Sequence, residues 1–361
     1  LKARRCRGKE TFLEFRNPVR RAGDVHHSEG SGTGVEEGDR ARALWYRAAG
    51  CAELRHEVLP PAGPGEVVVE TLWTALSRGT ERLVFHGLVP DTLHERMRAP
   101  AQEGRFSFPV KYGYCAVGLI AARGEVASPY VFALKPHQER FVASPDSLHP
   151  IPPGVPPRRA VLAANMETAL NAIWDSGAGP GDRIAVVGAG VVGLLVAYLA
   201  GGIVGCEVTV IDRLAERAAL AQHLGTDFAE PGAATRGAAD IVFHASASQE
   251  GLAEALSLAG DEGRVVELSW YGTRAVTVPL GEDFHVRRLN LVSSQVGQVS
   301  ASRRPRWTYA RRMGKALDLL TDPRLDALIT EEVAFTDLPE ALPRLLAQDA
   351  AGLCTAVRYR S

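Results

Sequence analysis

The 361-residue chain is short of several things at once. It has almost no net charge, 41 lysines and arginines standing against 42 acids, so nothing electrostatic favours nucleic acid or an anionic membrane as partner. It has no paired cysteines. Cys6, Cys51, Cys115, Cys206 and Cys354 are scattered without a C-x-x-C, which argues against structural zinc and a disulfide framework and leaves them as reduced, buried hydrophobes. No apolar run reaches the roughly 20 residues of a membrane span, and no secretory signal is evident, so a cytoplasmic location is expected. What remains is ordinary globular composition, 46% hydrophobic and 23% charged, in a chain with room for two domains.

Against that background one segment stands out. Arg183 to Gly193 reads RIAVVGAGVVG, an apolar β-branched run, then Gly188-Ala189-Gly190-Val191-Val192-Gly193, then an apolar helix-like run. A strand buried in a parallel sheet needs such a run. Gly188 makes the tight turn, Gly190 lets backbone amides approach a pyrophosphate, and Gly193 lets helix and strand pack closely. The helix opening at Val191 and Val192 aims free N–H groups and its dipole at the phosphates. A second strand, Glu207 to Asp212, ends in an acid 19 positions after Gly193, placed to accept both ribose hydroxyls of an adenosine. Asp212 favours NAD(H) over NADP(H), whose 2′-phosphate it would repel. Arg213 beside it, able to stack on adenine or meet such a phosphate, leaves NADP(H) open.

Residues 1–40 begin Arg-rich and continue into a Gly/Ser/Glu stretch without periodicity. They read as a disordered extension, either upstream sequence ahead of the native start or a basic arm whose acids nearly offset its arginines. Residues 41–157 carry short alternating β runs such as Glu66 to Leu72, broken by turns such as Pro60 to Gly65, and predict a barrel-like β domain. A helix is predicted from Arg158 to Ser176. Over 158–304, strands at Ile184, Val208, Ile241, Arg264 and Leu289 alternate with helices at Leu214 to Leu224 and Glu250 to Ala259, predicting a doubly wound parallel sheet. Residues 305–361 hold two helical patterns and a strand, Thr355 to Tyr359, expected to return to the β domain.

These features, with Pro64-Gly65-Glu66-Val67, Ser77-Arg78-Gly79-Thr80-Glu81, Pro109 to Gly118 (PVKYGYCAVG) and the Gly179-Pro180-Gly181-Asp182 lead into the glycine turn, resemble the medium-chain dehydrogenase/reductase superfamily from Ala41 onward. The resemblance implies an α/β chain made of a GroES-like, β-rich catalytic domain and a Rossmann domain, with hydride transfer in the cleft between them. Leu76 to Leu83 (LSRGTERL), with tyrosine after Gly113, looks most like the branch containing bacteriochlorophyllide a hydroxyethyl dehydrogenase. The zinc ligands of related alcohol dehydrogenases fall here on Arg78, Tyr114 and Ala164, none an ordinary ligand, and the four-cysteine structural lobe is missing. The expectation is an enzyme without zinc.

The metal's work then passes to hydrogen-bond donors. Tyr114 is expected to donate to the substrate oxygen, with Arg78 or Lys111 nearby to stabilise a phenolate, and Thr80 matches the family's proton-relay hydroxyl. Tyr114 equally reads as a packing residue, and Arg78 as the partner of Glu81 or of a cofactor phosphate. Asn165 and Glu167, near the expected nicotinamide, could hold substrate, or Glu167 could simply favour the first helical turn. His137 reads as lining the cleft or as an exposed loop residue. Ala245 and Ser246 after the fourth Rossmann strand, and Ser269 after the fifth, are placed toward ribose and carboxamide by fold-level expectation. The leading reading is a metal-independent, NAD(H)-dependent oxidoreductase, a homodimer, interconverting a secondary alcohol and a ketone. Its rivals are a zinc-free enone or quinone reductase and a non-catalytic dinucleotide-binding sensor.

Overall fold

The computed structural model describes residues 40–121 and 130–359; the extension expected over 1–40 lies outside them except for Arg40, which is not part of it but begins the first strand. Alternation shapes the first strands. β1 (Arg40–Ala48) buries Ala41, Ala43, Leu44 and Tyr46 between more exposed charged neighbours, turns at Gly50 with φ +72°, and returns as β2 (Cys51–Val58) in an antiparallel hairpin. β3 (Val67–Leu76) runs into α1 (Arg78–Phe85) with only Ser77 between them. Short strands follow, β4 (Glu103–Gly104), β5 (Val110–Lys111), β6 (Ala116–Ile120), β7 (Tyr130–Ala133), β8 (Arg140–Ala143) and β9 (His149–Pro150). One sheet has the order β2-β1-β5-β4, and β3 sits inside a second with β6 and β8 as antiparallel neighbours.

The predicted Arg158 to Ser176 helix is two helices, α2 (Pro157–Ala160) and α3 (Ala163–Ser176), separated at Val161 and Leu162, both fully buried. The break lets Arg159 leave the bundle and pair with Asp326 at 2.5 Å. α3 stops at Gly177, whose φ of +74° is the left-handed cap that glycine adopts without strain.

Beyond it the strands are apolar on both faces, as a covered parallel sheet requires. β10 (Arg183–Val187), α4 (Val191–Gly201), β11 (Glu207–Ile211), α5 (Ala218–His223) and β12 (Asp227–Ala229) form one half. β13 (Ala239–His244), α6 (Gln249–Leu258), β14 (Ala259–Glu267), α7 (Asp283–Val286) and β15 (Asn290–Ser293) form the other. The sheet order β12-β11-β10-β13-β14-β15 reverses direction at β10, the switch point where doubly wound sheets take ligands. β14 begins at Ala259, earlier than predicted, because Ala259 already pairs with Ala239.

The chain closes with α8 (Tyr309–Asp318), β16 (Ile329–Ala334), α9 (Leu338–Leu345) and β17 (Cys354–Arg358). β17 pairs antiparallel with β3, so the last strand lies in the sheet of the first half. One core joins Met166 and Ala169 of α3 to Leu194 and Leu195 of α4, Val186 of β10 and Leu317 of α8. A second gathers Leu44, Tyr46, Phe85, Phe106, Tyr112 and Leu342. Truncating Met166, wholly buried in the first, would cost about 2–5 kcal/mol. The segment from Val89 to Ser107 is anchored inward by Val89 and Phe106, both buried in that second core.

Candidate active site

Ser77 and α1 set the catalytic-side geometry. Glu81, one turn into α1 and fully buried, reaches back so that its Oε1 accepts the Ser77 backbone N–H at 2.8 Å. Its Oε2 accepts from the Tyr46 hydroxyl and from His137 Nε2, both at 3.0 Å. With Nε2 donating, His137 Nδ1 accepts from the Thr74 hydroxyl at 2.7 Å, and Thr74 accepts from Tyr359 at 3.2 Å. His137 is therefore neither an exposed loop residue nor a cleft-lining one; it is 1% exposed and anchors the floor. Gly113, with φ +122°, permits this, since a Cβ there would come within 2.8 Å of the His137 ring.

Tyr114 lies above that floor, edge-on to Tyr112 with centroids 5.9 Å apart. Burial pushes its phenol well above the ordinary value, the neighbouring Cys115 and Glu81 push it further, and hydrogen bonds from Ser77 and Thr80 pull back only part of the way. The group is thus a neutral O–H donor at physiological pH. Asn165, also buried, donates from Nδ2 to Ser77 Oγ at 3.3 Å. The structure brings Tyr114, Thr80, Ser77 and Asn165 together; Ser77 is the member that the sequence reading passed over, although it opens the motif that carries Thr80.

Three expected site residues are engaged elsewhere. The Arg78 guanidinium donates to the carbonyl of Ala350 at 2.6 Å and to that of Gly352, so it clamps the segment before β17 rather than a phenolate. Lys111 is buried between Glu57, at 2.7 Å, and Glu103. Glu167 accepts from Arg312 Nε at 2.9 Å, and Arg312 also bonds Asn171 Oδ1 at 2.6 Å, so this carboxylate ties α3 to α8. Burial raises the Glu167 pKa, only partly offset by Arg312. The phenolate arrangement expected from Arg78 or Lys111 is therefore replaced by a hydroxyl cluster around Tyr114. Among the described residues no three His, Cys, Asp or Glu side chains are grouped to hold a metal ion, and Arg78, Tyr114 and Ala164 offer zinc no ordinary donor set.

The nucleotide side is built to fit a dinucleotide. Gly188 has φ +111°, and a Cβ there would come 2.7 Å from the Ser246 backbone N; at Gly193 a Cβ would collide with the Gly188 carbonyl. Gly190 instead faces open space, the room a pyrophosphate needs, at the head of α4 where Val191 and Val192 begin the helix. Asp212 follows β11 and is fixed by the N–H groups of Ala189 at 2.6 Å and Leu214 at 2.9 Å, keeping further lone pairs for hydroxyls. Arg213 is exposed.

Ala245 and Ser246 follow β13 as expected, over an unexpected support. His244 and Glu267 end β13 and β14 at the same register position, so two polar side chains meet where two apolar strands stop. His244 Nδ1 meets Glu267 Oε2 at 2.8 Å and its Nε2 meets Ser246 Oγ at 2.7 Å. Tyr271 donates to the same Glu267 oxygen at 3.0 Å, and the Ser269 N–H to the other at 2.6 Å. Burial raises the Glu267 pKa, but these bonds outweigh it and hold the group below the ordinary carboxylate value. The readable signal was a polar residue closing each of two otherwise apolar strands.

Residues 191–314 match the zinc-binding dehydrogenase family. A 2-dehydro-3-deoxy-L-galactonate 5-dehydrogenase of Pseudoalteromonas atlantica is 26% identical over 274 residues, 67% of this chain and 78% of that protein. Two solved structures share the fold. One is the NADP-bound form of a Sinorhizobium meliloti 1021 protein assigned to the zinc-binding dehydrogenases, with TM-score 0.70, 19% identity and coverage of 89% and 99% of the two chains. The other is the NADH complex of a short chain alcohol dehydrogenase from Escherichia coli CFT073, with TM-score 0.68, 18% identity and coverage of 89% and 100%. Fold and sequence together define a dinucleotide-dependent dehydrogenase. The chain is similar in sequence and fold to the alcohol-dehydrogenase-like members of the medium-chain dehydrogenase/reductase superfamily.

Proposed function

We propose that the protein is a metal-independent, NAD(H)-dependent oxidoreductase that interconverts a secondary alcohol and a ketone. The observation that carries this reading is the neutral Tyr114 hydroxyl, bonded to Ser77 and Thr80 beside Asn165, at a position where the resemblance puts a zinc ligand. A bound nicotinamide supplies or accepts the hydride. Tyr114 donates its hydrogen bond to the carbonyl oxygen and gives up the proton as that oxygen becomes a hydroxyl; Ser77 and Thr80 orient the phenol and return a proton to it. Asp212, a carboxylate at the adenosine ribose, supports NAD(H). The sugar-acid dehydrogenase relative supports a polyhydroxylated alcohol as substrate class.

The test is Tyr114→Phe with NADH and a panel of polyol-derived ketones, together with metal analysis of the purified enzyme. The expected loss in kcat is about 10²–10⁴-fold with KM little changed. An unchanged kcat, or one equivalent of zinc required for turnover, overturns the reading. Tight NADH binding with no turnover of any carbonyl compound would make the chain a sensor instead.

A further inference from the structure

Helix α1 carries two arginines one turn apart, and they are treated differently by the fold. Arg78 directs Nη1 and Nη2 to the carbonyls of Gly352 and Ala350, its Nε being buried without a partner among the described residues, and Arg217, from the nucleotide-binding half, takes the carbonyl of Ala351 between them. Arg82 is half-buried, and its guanidinium has no hydrogen-bond or ion-pair partner among the described residues. A charged group withdrawn from water is normally paired, because solvation lost is not otherwise replaced.

The loop after β14 brings a second guanidinium to it. Thr273 donates its backbone N–H to the Leu88 carbonyl at 3.0 Å, just past the end of α1. Gly272 lies so close to Leu88 and Leu83 that a Cβ would collide there. The loop is thus seated on α1, and it presents Arg274 from the opposite half of the molecule. Arg274 is exposed and held over the Tyr271 ring at 5.8 Å, where Nη2 donates to the Ala247 carbonyl at 2.7 Å, beside Ser246, leaving its other N–H donors toward solvent. Burial and the nearby Arg274 both disfavour the charge on Arg82, and no carboxylate offsets them. The half-buried Arg82 and the exposed Arg274 thus come from two halves of the chain to the same helix, α1.

We propose that Arg82 and Arg274 form a clamp, one arm from each half, for an anionic oxygen group, a carboxylate or a phosphate, held in the cleft. Two guanidinium forks match the paired oxygens of such a group in a way that lysines would not. Arg82 lies on α1, the helix that also carries Thr80, and Arg274 is anchored beside Ser246 on the nucleotide side. The inference rests on the reading of this cleft as the meeting place of cofactor and substrate. It adds that either the substrate bears an acid group or the clamp holds a phosphate of the cofactor.

The test reads binding rather than turnover, so it stands or falls apart from the role of Tyr114. Full-length Arg82→Gln, Arg274→Gln and Arg82→Lys proteins, checked for an unchanged thermal melt, are titrated with NADH and NADPH by nicotinamide fluorescence. The NADH-saturated proteins are titrated with inorganic phosphate and with D-gluconate by calorimetry. A substrate clamp predicts about tenfold weaker phosphate or gluconate binding in each Gln variant, NADH affinity unchanged and the Lys variant intermediate. A cofactor clamp predicts the same loss for NADH or NADPH instead. Either result upholds the anion site and names its source. Affinities all within twofold of wild type in both Gln variants overturn it, as does a wild type that binds neither anion while cofactor affinities stay unchanged.

Discussion

The carboxylate of Glu81 and the imidazole of His137, 56 residues apart in sequence, meet at 3.0 Å with neither side chain exposed to solvent. This pair fixes the end of β3 and the start of α1 against the turn that carries Tyr114, because Glu81 holds the Ser77 N–H with its other oxygen. Glu81→Ala would leave His137, Tyr46 and the Ser77 amide without their acceptor in the interior. The expected loss is about 3–5 kcal/mol, read as a fall in the urea midpoint. A midpoint within experimental error of wild type would mean that the network does not hold the floor.

Lys111 and Tyr114 separate packing from chemistry within one short segment. Lys111→Met removes a buried cation from between Glu57 and Glu103 and should lower stability by about 1–3 kcal/mol, leaving kcat close to wild type. Steady-state kinetics beside a thermal melt would check both halves. A kcat loss comparable to that of Tyr114→Phe would return Lys111 to the active site.

The Glu267 pKa is held below its unfolded value, so its stabilisation is fully present above the ordinary carboxylate range and is lost as pH falls through the depressed folded value. Glu267→Gln should cost about 1–3 kcal/mol at pH 7. The gap from wild type should narrow in urea titrations as pH falls through the depressed native value and the native carboxylate is itself protonated. A gap that is constant across that range would assign the effect to packing alone.

Gly251 tests the same network sterically. It lies in α6, where glycine to alanine ordinarily adds about 1 kcal/mol of helix stability. Here a Cβ would strike Ser246 Oγ, and lie 2.8 Å from Ser248 Oγ and 3.0 Å from His244 Nε2. Gly251→Ala is therefore expected to displace Ser246 and weaken NADH binding severalfold, visible by fluorescence titration. Tighter binding with a higher melting temperature would show that Ser246 is free to move.

Asp212→Asn removes the charge set against a 2′-phosphate, and with it one of the two backbone hydrogen bonds, since an amide nitrogen cannot accept from Ala189 or Leu214. The ratio of NADPH to NADH affinity should rise about tenfold, a shift of about 1.4 kcal/mol, measured by parallel titrations. An unchanged ratio would move discrimination to other groups, Arg213 among them.

Local sequence alone determined the nucleotide half. The apolar runs of β10, β11 and β13, the three glycines and Asp212 lie within a short span, and each acts through its own backbone freedom or its place at a strand end, so pattern and spacing suffice. Sequence also showed that Arg78, Tyr114 and Ala164 cannot form an ordinary zinc site. Only tertiary structure decided what each polar side chain does. Arg78 turned to carbonyls 272 and 274 residues away, Glu167 to an arginine 145 away, and His137 to a buried carboxylate. A long side chain near the cleft can satisfy its charge in any direction that its neighbours allow, and those neighbours come from distant strands and helices. Whether a charge is spent on packing or kept for a ligand is settled by burial and partner, and neither is written in the spacing of residues along the chain.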